Sequence, residues 1–405
     1  MLCGVARQRN RGFDASLKNG FAEDGPWGQN PKTKTNREQE NSMILKRIAT
    51  ALAMSAALTV AAAAQDDVVH VYNWSDYIGE EVLAQFTEQT GIKVVYDVFD
   101  SNDILETKLL AGGTGYDVVV PSGTFLARQI QAGVFQPLDK SKLPNLVHQW
   151  KDIADRVAKF DPNNEHAVNY MWGTTGIGYN VGKIMERMPD APVGSWAMIF
   201  DPDVVSKFAD CGIHMLDASD EMIPAALNYL GKDPDSHDPA EIEEAAKLIE
   251  SIRPYIQKFH SSEYIEALAN GNICMAVGWS GDVLQARDRA DEADAGNEIA
   301  YSIPKEGALM WFDNLAMPAD APHPDAALAF INFMMTPEIA AENSNYIYYA
   351  NGNKDSQPLL EEDVIGDPAI YPDEETVGRL YTTTPYDPKT QRVVTRAWTR
   401  IKSGT

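Results

Sequence analysis

The segment that decides the fold begins as VVHVYNW at residues 68–74, an apolar run typical of a buried β-strand. Helix and strand patterns alternate after it: a helix over 80–90, a strand over 92–98, a helix from Ser101 to Leu110 and a strand over 116–120. Because parallel strands need crossover helices, this order predicts a mostly parallel sheet with both faces covered. The fold class is therefore predicted to be α/β.

The rest of the chain repeats this style with longer helices and predicts a second domain. The clearest patterns are a helix over 238–256, strands over 273–277, 300–303 and 309–312, and a helix over 326–335. The 341 residues that follow residue 64 are more than one core usually serves. Since no short repeat or low-complexity linker divides them, two domains are predicted to share the chain by crossing more than once.

A secretory signal peptide is predicted over residues 43–64. It has a short basic start at 43–47, an apolar run at 48–61 and a small-residue cleavage pattern at Ala62-Ala63-Ala64. The apolar run is shorter than the roughly 20 residues that span a bilayer, so a permanent anchor is the weaker interpretation. Residues 1–42 are interpreted either as a non-native extension before the true initiator, Met43, or as a disordered leader. The mature protein is expected outside the cytoplasm.

The mature protein is strongly acidic. Residues 1–64 carry nine of the 34 basic and five of the 59 acidic side chains, so 25 basic and 54 acidic residues remain, a net charge of −29. Such a charge disfavours nucleic acid and anionic membranes as partners and attracts cations over a long range. A role in solubility alone is the alternative explanation.

Two cysteines, Cys211 and Cys274, follow residue 64. An even number in an oxidising compartment suggests one disulfide, and two buried free thiols are the alternative. The cysteines show no metal-ligand spacing, and neither do the seven histidines: His70, His148, His166, His214, His237, His260 and His323. No metal site is therefore predicted.

Three short boxes join a Trp to an Asp two or three positions later: Trp74-Ser75-Asp76-Tyr77, Trp279-Ser280-Gly281-Asp282 and Trp311-Phe312-Asp313. Ligands of open parallel sheets bind beyond the carboxyl ends of strands, where at least the first two boxes lie. An aromatic face attracts a cation by about 0.5–2 kcal/mol, and a charge-assisted hydrogen bond to a carboxylate adds about 1.5–3 kcal/mol. The boxes thus favour an ammonium group on a methylene chain. Turn caps, helix N-terminal acids and core aromatics are their structural alternatives.

Signatures of several enzyme classes are absent from the sequence. There is no Gly-x-Ser-x-Gly, no Gly-x-x-x-x-Gly-Lys, no His-Glu-x-x-His and no Cys-x-x-Cys. The chain is therefore predicted not to be an enzyme, and no cofactor is expected. A secreted hydrolase with a pair of acids stays open as an alternative. So does a sugar receptor, because aromatic walls and Asp also suit hydroxyl-rich rings.

From about Val69 to its end, the chain resembles the periplasmic polyamine-binding proteins of ABC importers, most closely the putrescine receptors. The matching stretches are residues 72–77, 90–102, 132–139, 174–180 and 302–307. The resemblance implies a two-lobed periplasmic binding protein of type II, with a ligand cleft between lobes joined by crossover segments. Lobe 1 is expected over 65–170 and 292–334, and lobe 2 over 171–291 and 335–405.

The resemblance also implies the site and the partners. By position, it carries the family's ligand contacts to Trp74, Ser75, Asp76, Tyr77, Ser122, Glu221, Trp279, Asp282, Trp311, Asp313 and Tyr349. Asp220 is the alternative to Glu221, one position away. A disulfide between Cys211 and Cys274 is implied, as is a periplasmic monomer that passes putrescine or spermidine to an ABC transporter membrane permease.

The expected mechanism divides the site into two ends. Asp76 and Asp313 are expected to hold one terminal ammonium group, and Glu221 and Asp282 the other. The aromatic residues of the site would then wall the methylene chain. Trp311 stands where a putrescine receptor is expected to have Phe, which leaves the choice between putrescine and spermidine open.

Overall fold

The structure is a computed structural model that describes residues 68–294 and 296–404. The predicted leader at 1–42 and the predicted signal peptide at 43–64 lie outside these residues. Among the described residues, no helix combines the length and the apolar character that crossing a membrane requires.

The described residues contain ten β-strands. They are β1 (Val68–Trp74), β2 (Lys93–Phe99), β3 (Val118–Val119), β4 (Ala167–Asn180), β5 (Ile213–Met215), β6 (Lys258–Phe259), β7 (Met275–Trp279), β8 (Ile299–Ser302), β9 (Met310–Ala316) and β10 (Ala350–Asn351). Backbone hydrogen bonds join them in the order β2-β1-β3-β9-β4-β7-β5-β6, with β8 and β10 paired to β4.

The same residues form sixteen α-helices. The first eight are α1 (Val82–Thr90), α2 (Asn102–Ala111), α3 (Gly123–Gln131), α4 (Lys151–Val157), α5 (Val181–Arg187), α6 (Ala197–Phe200), α7 (Pro202–Val205) and α8 (Ser219–Tyr229). The others are α9 (Pro239–Ile252), α10 (Tyr264–Ala269), α11 (Ser280–Glu292), α12 (Pro324–Met334), α13 (Pro337–Ile347), α14 (Glu362–Ile365), α15 (Glu374–Val377) and α16 (Pro388–Ser403). Short 3-10 turns lie at Lys140–Lys142, Pro144–His148, Pro162–Asn164, Ser206–Cys211, Arg253–Tyr255 and Gln357–Leu359.

The segment that predicted the α/β class has the predicted order of elements. Strand β1 pairs in parallel with both β2 and β3. Helix α1 ends at Gly91, whose φ of 76° lies in the left-handed region that glycine adopts without steric cost. Ser101 caps α2 by accepting a hydrogen bond from the backbone N–H of Asp103 at 3.2 Å. The third strand is shorter than predicted, and α1 begins two residues later than predicted.

Other boundaries also differ from the sequence prediction, and two of these differences have a clear cause. The helix predicted over 238–256 ends at Ile252 and a 3-10 turn over Arg253–Tyr255 follows it, because Pro254 has no backbone N–H to donate to an α-helical hydrogen bond. The strand predicted over 309–312 continues to Ala316, since β9 pairs with β4 from Met310 to Ala316. In both places proline chemistry or long-range pairing outweighed the local pattern.

Strand β4 passes from one half of the sheet to the other. Its first part, up to Thr174, pairs antiparallel with β9, and its later residues pair with β7 and β8. Met171 packs in an apolar cluster with Val69, whereas Ile177 packs in a second cluster with Ile213. One long buried strand therefore connects two cores, as a crossover segment must.

Each of the two cores contains segments from distant parts of the chain. Ile299 of β8 packs in the cluster of Ile213, and Ile339 and Ile347 of α13 pack in the cluster of Val69. The predicted lobe limits placed these segments on the opposite sides. The limits stay a prediction, and this packing argues for assigning β8 to the second lobe and α13 to the first.

Cys211 and Cys274 form a disulfide with their Cα atoms 5.5 Å apart. Cys211 ends a 3-10 turn, and Cys274 is the buried residue before β7. The bond closes a loop of 63 residues within the second core, and the alternative of two free thiols is wrong.

Candidate ligand-binding site

A cavity opens beyond the carboxyl ends of β1, β3 and β7, where ligands of open α/β sheets bind. The strand ends therefore gather side chains that are far apart in sequence. Ten of the eleven predicted site residues line the cavity: Trp74, Ser75, Tyr77, Ser122, Glu221, Trp279, Asp282, Trp311, Asp313 and Tyr349.

Asp313, on β9, is a buried carboxylate held by two hydroxyl groups. Ser122 donates a hydrogen bond to its Oδ1 at 2.5 Å, and Tyr77 donates to its Oδ2 at 2.9 Å. Burial raises the pKa of Asp313 to about 7, although both hydrogen bonds favour the charged form. The carboxylate is thus oriented but lacks a compensating positive charge.

Asp282 is a second buried carboxylate, in the first turn of α11. Tyr349 donates a hydrogen bond to Oδ1 at 2.6 Å, and Tyr264 donates to Oδ2 at 2.7 Å. The helix N-terminus also favours a negative charge there. Burial nevertheless raises the pKa of Asp282 to about 7. This acid has the same arrangement as Asp313, because two hydroxyl groups donate hydrogen bonds to each carboxylate.

Glu221, on α8, is a third buried carboxylate. The Thr175 hydroxyl donates to it, and the indole N–H of Trp279 donates to its Oε1 at 3.0 Å. Burial, followed by the charge of Asp220, raises the pKa of Glu221. Asp220 also lines the cavity, and burial raises its pKa as well. Both alternatives from the sequence therefore face the same space, and Glu221 is the one with hydrogen-bond donors.

No basic side chain balances these acids inside the cavity. Within the part of the chain that the structure describes, none of the residues that line it is Lys, Arg or His. Unpaired carboxylates in a desolvated site are costly, and their raised pKa values express that cost. A cationic ligand would supply the missing charge.

Aromatic rings form much of the remaining wall. Trp74 meets Trp279 edge-on, with ring centroids 5.4 Å apart, and Trp311 meets Tyr349 at 5.3 Å. Tyr77 contacts Tyr349 at 5.1 Å, so the rings that hold Asp313 and Asp282 touch each other. The faces of such rings attract cations and cover methylene groups.

Comparison with known proteins identifies the family to which the chain belongs. The family model described as bacterial extracellular solute-binding protein matches residues 81–372. The chain is a bacterial extracellular solute-binding protein. Its curated relatives include a putrescine-binding periplasmic protein of Pseudomonas aeruginosa, 54% identical over 359 residues, which are 88% of this chain and 98% of the relative. A putrescine-binding periplasmic protein of Escherichia coli is 51% identical over 344 residues, 84% of this chain and 93% of the relative.

A solved structure confirms the predicted fold class of this solute-binding protein. The spermidine/putrescine ABC transporter substrate-binding protein of Streptococcus pneumoniae superposes with a TM-score of 0.68 at 32% identity. The match covers 84% of this chain and 99% of that one. The prediction of an α/β, two-lobed binding protein is thereby supported over nearly all the residues that the structure describes.

Asp76 is the predicted site residue that this solute-binding protein places elsewhere. Its side chain is exposed and forms an ion pair with Arg289 at 2.7 Å, outside the set of residues that line the cavity. The cause is local: the chain turns after Trp74, and Asp76 adopts a left-handed φ of 53°. The expectation that Asp76 and Asp313 share one ammonium group is therefore not supported by the geometry.

The cavity of this solute-binding protein also contains residues that sequence reasoning missed. They are Asp100, Asn102, Gly123, Thr124, Phe160, Ser261, Leu309, Met310, Phe312 and Thr383, together with Asp220, which was named only as an alternative. Asp100 follows the end of β2, so the rule that found Trp74 could have found it. Phe160 and Thr383 come from irregular segments, where no periodic pattern indicates a site.

Proposed function

We propose that the chain is the capturing component of a bacterial polyamine importer and binds putrescine, with spermidine as a second ligand. The observation that carries the proposal is a set of buried carboxylates in a cavity whose lining, over the described residues, contains aromatic rings and no Lys, Arg or His. A diamine is a dication with an apolar middle, which matches both properties. The names of the two close relatives point to the same ligand.

The proposed contacts follow from the hydrogen bonds around each acid. Asp313 and Asp282 are oriented by fixed hydroxyl donors, so each has little rotation to lose when an ammonium group arrives. The touching rings of Tyr77 and Tyr349 lie between them and cover the methylene chain. Micromolar binding requires about 8 kcal/mol, which a few charge-assisted hydrogen bonds and apolar burial can supply.

The lining of the cavity also disfavours the two alternatives, a sugar receptor and a hydrolase. A sugar receptor needs hydrogen-bond donors and acceptors in balance, whereas this cavity has several acids and no basic side chain among the residues that line it. A hydrolase needs a general acid and a base or nucleophile in different environments, whereas Asp282 and Asp313 are each held by two hydroxyl donors, as equivalent sites for two ammonium groups would be. We therefore propose a binding protein without catalysis.

The proposed setting is the periplasm, where the chain would act as a monomer. The periplasmic relatives support this location. The loaded protein would close around the polyamine and dock on a membrane permease, which uses its own energy source to move the ligand. No cofactor or metal has a part in this cycle.

Calorimetric titration with putrescine, spermidine and maltose tests the proposal. Putrescine should bind with a dissociation constant in the micromolar range or below, and maltose should give no heat of binding. Heat with maltose alone would support the sugar receptor. Turnover of a glycoside substrate would support the hydrolase, and either result would refute the polyamine proposal.

A further inference from the structure

Four rings in and around the cavity lie against glycine backbones. A Cβ atom added to these glycines would come within 2.5–2.6 Å of a ring carbon, whereas ordinary contacts of a Cβ are 3.4–4 Å. The pairs are Gly123 with Phe160, Gly173 with Trp311, Gly278 with Tyr264, and Gly281 with Tyr349. Glycine within or beside a strand often marks such a close approach, and here the approach is by the rings of the site.

Gly173 and Trp311 form the most direct of these pairs. They are opposite each other in the ladder between β4 and β9. A Cβ on Gly173 would lie 2.6 Å from Cζ2 and 2.8 Å from Cη2 of the indole, and 3.0 Å from the hydroxyl oxygen of Ser280. Gly173 is not among the glycines with positive φ, so its backbone conformation is open to alanine. The indole ring, rather than the backbone, accounts for the absence of a side chain at position 173.

Nothing polar holds the indole of Trp311 in place. Its Nε1 is buried and has no hydrogen-bond partner among the described residues. The ring is instead held between Gly173 on one side and the edge-on ring of Tyr349, 5.3 Å away, on another. Trp311 lines the cavity and Gly173 does not. A ring displaced by a side chain at position 173 should therefore change the shape of the cavity wall.

We infer that Gly173 is a positioning residue, which sets the place of the Trp311 ring and thereby the width of the polyamine site. The inference rests on the proposed function. The indole of Trp311 extends further toward β4 than a smaller ring would. The large ring at position 311 therefore requires a glycine at position 173. Replacing Gly173 should therefore affect binding strongly only when residue 311 is Trp.

A double-mutant cycle tests this coupling. The variants are Gly173→Ala, Trp311→Phe and the double variant, and the measured quantity is the dissociation constant for putrescine by calorimetry. Gly173→Ala should weaken binding about tenfold in the wild-type background and less than about twofold in the Trp311→Phe background, because Phe lacks the Cζ2 and Cη2 atoms. Equal losses in both backgrounds would overturn the inference.

Gly178→Ala is the matched control. Gly178 lies on the same strand, and its added Cβ would meet Cγ2 of Val283 at 2.6 Å, but Val283 does not line the cavity. This variant should lower the thermal stability and leave the dissociation constant within about twofold of wild type. A loss of affinity as large as that of Gly173→Ala would show that crowding anywhere on β4 disturbs binding, which also overturns the inference.

Two further outcomes keep the inference separate from the proposed function. If Gly173→Ala does not fold, the double variant should fold, and its failure to do so counts against the pairing. If the wild-type protein binds no polyamine, the proposed function fails. The coupling is then measured in the thermal unfolding of the free protein, where Trp311→Phe should relieve the loss caused by Gly173→Ala.

Discussion

At the scale of single residues, Asp282 and Asp313 share an unusual environment. Each accepts hydrogen bonds from two hydroxyl groups, and each has a pKa raised to about 7 by burial. No Lys, Arg or His is among the described residues that line the cavity. The donors orient the carboxylates without neutralising them. A dication completes such a site, and its removal leaves the acids partly protonated at neutral pH.

Replacing Asp282 with Asn should weaken putrescine binding at least tenfold, about 1.4 kcal/mol. Asn keeps the shape of the side chain and a carbonyl for one tyrosine but removes the charge that holds the ammonium group. Asp291→Asn is the control, since Asp291 is an exposed acid on the same helix, α11. Calorimetry measures both variants, and an Asp282→Asn protein with wild-type affinity would exclude this carboxylate from the site.

Sequence reasoning identified Asp282 and Asp76 by the same pattern, and only one of them lines the cavity. Asp282 begins a long helix, so its direction is fixed by the strand that precedes it. Asp76 lies in a turn, where a left-handed φ directs the side chain to Arg289. Asp adopts a positive φ more often than most residues, but only in a small minority of cases, and the spacing of the box does not mark Asp76 as one of them. The acids on regular elements could thus be predicted, and the acid on a turn could not.

At the scale of elements, the positions of the strand ends explain why the site could be predicted from the sequence. Strands β1 and β7 each end in a Trp that begins a box, and the parallel pairing of β1 with β2 and β3 brings their carboxyl ends together. The long strand β4 and the return of α13 to the first core depend on pairings between residues more than a hundred positions apart. A local pattern cannot specify such pairings.

Removing the disulfide should lower the free energy of unfolding by about 4 kcal/mol, because the bond closes a loop of 63 residues. Denaturant unfolding of Cys211→Ala/Cys274→Ala, compared with the oxidised and reduced wild-type protein, measures the change. Neither cysteine lines the cavity, so the folded variant should keep its affinity for putrescine. A loss below about 1 kcal/mol would mean that the second core does not depend on this loop closure.

At the scale of the whole molecule, the cavity acids link stability to pH. Their folded-state pKa of about 7 lies above the ordinary value near 3.9, so the folded protein holds more protons than the unfolded chain between those values. This contribution to stability is fully present at low pH and is lost as the pH rises toward about 8. The free protein should therefore lose stability across this range through these two groups.

The contribution of Asp282 to the pH dependence of stability can be isolated by comparing the ligand-free wild-type protein with the Asp282→Asn variant. The melting temperature of the variant should fall less between pH 5 and pH 8, because one of the two groups no longer titrates. Saturating putrescine should remove most of the fall in the wild-type protein, since the ammonium groups stabilise the charged acids. Identical pH profiles for wild type and variant would contradict the raised pKa of Asp282.

The most direct measurement of the central claim is a calorimetric titration of the wild-type protein with putrescine near pH 7 in two buffers of different ionisation enthalpy. The account predicts binding that releases about one proton or more per putrescine, because half-protonated Asp282 and Asp313 become fully charged in the complex. Affinity should rise from pH 6 to pH 8, while the ammonium groups, with pKa values near 10, stay charged. Absence of binding, or binding with proton uptake, would contradict the account.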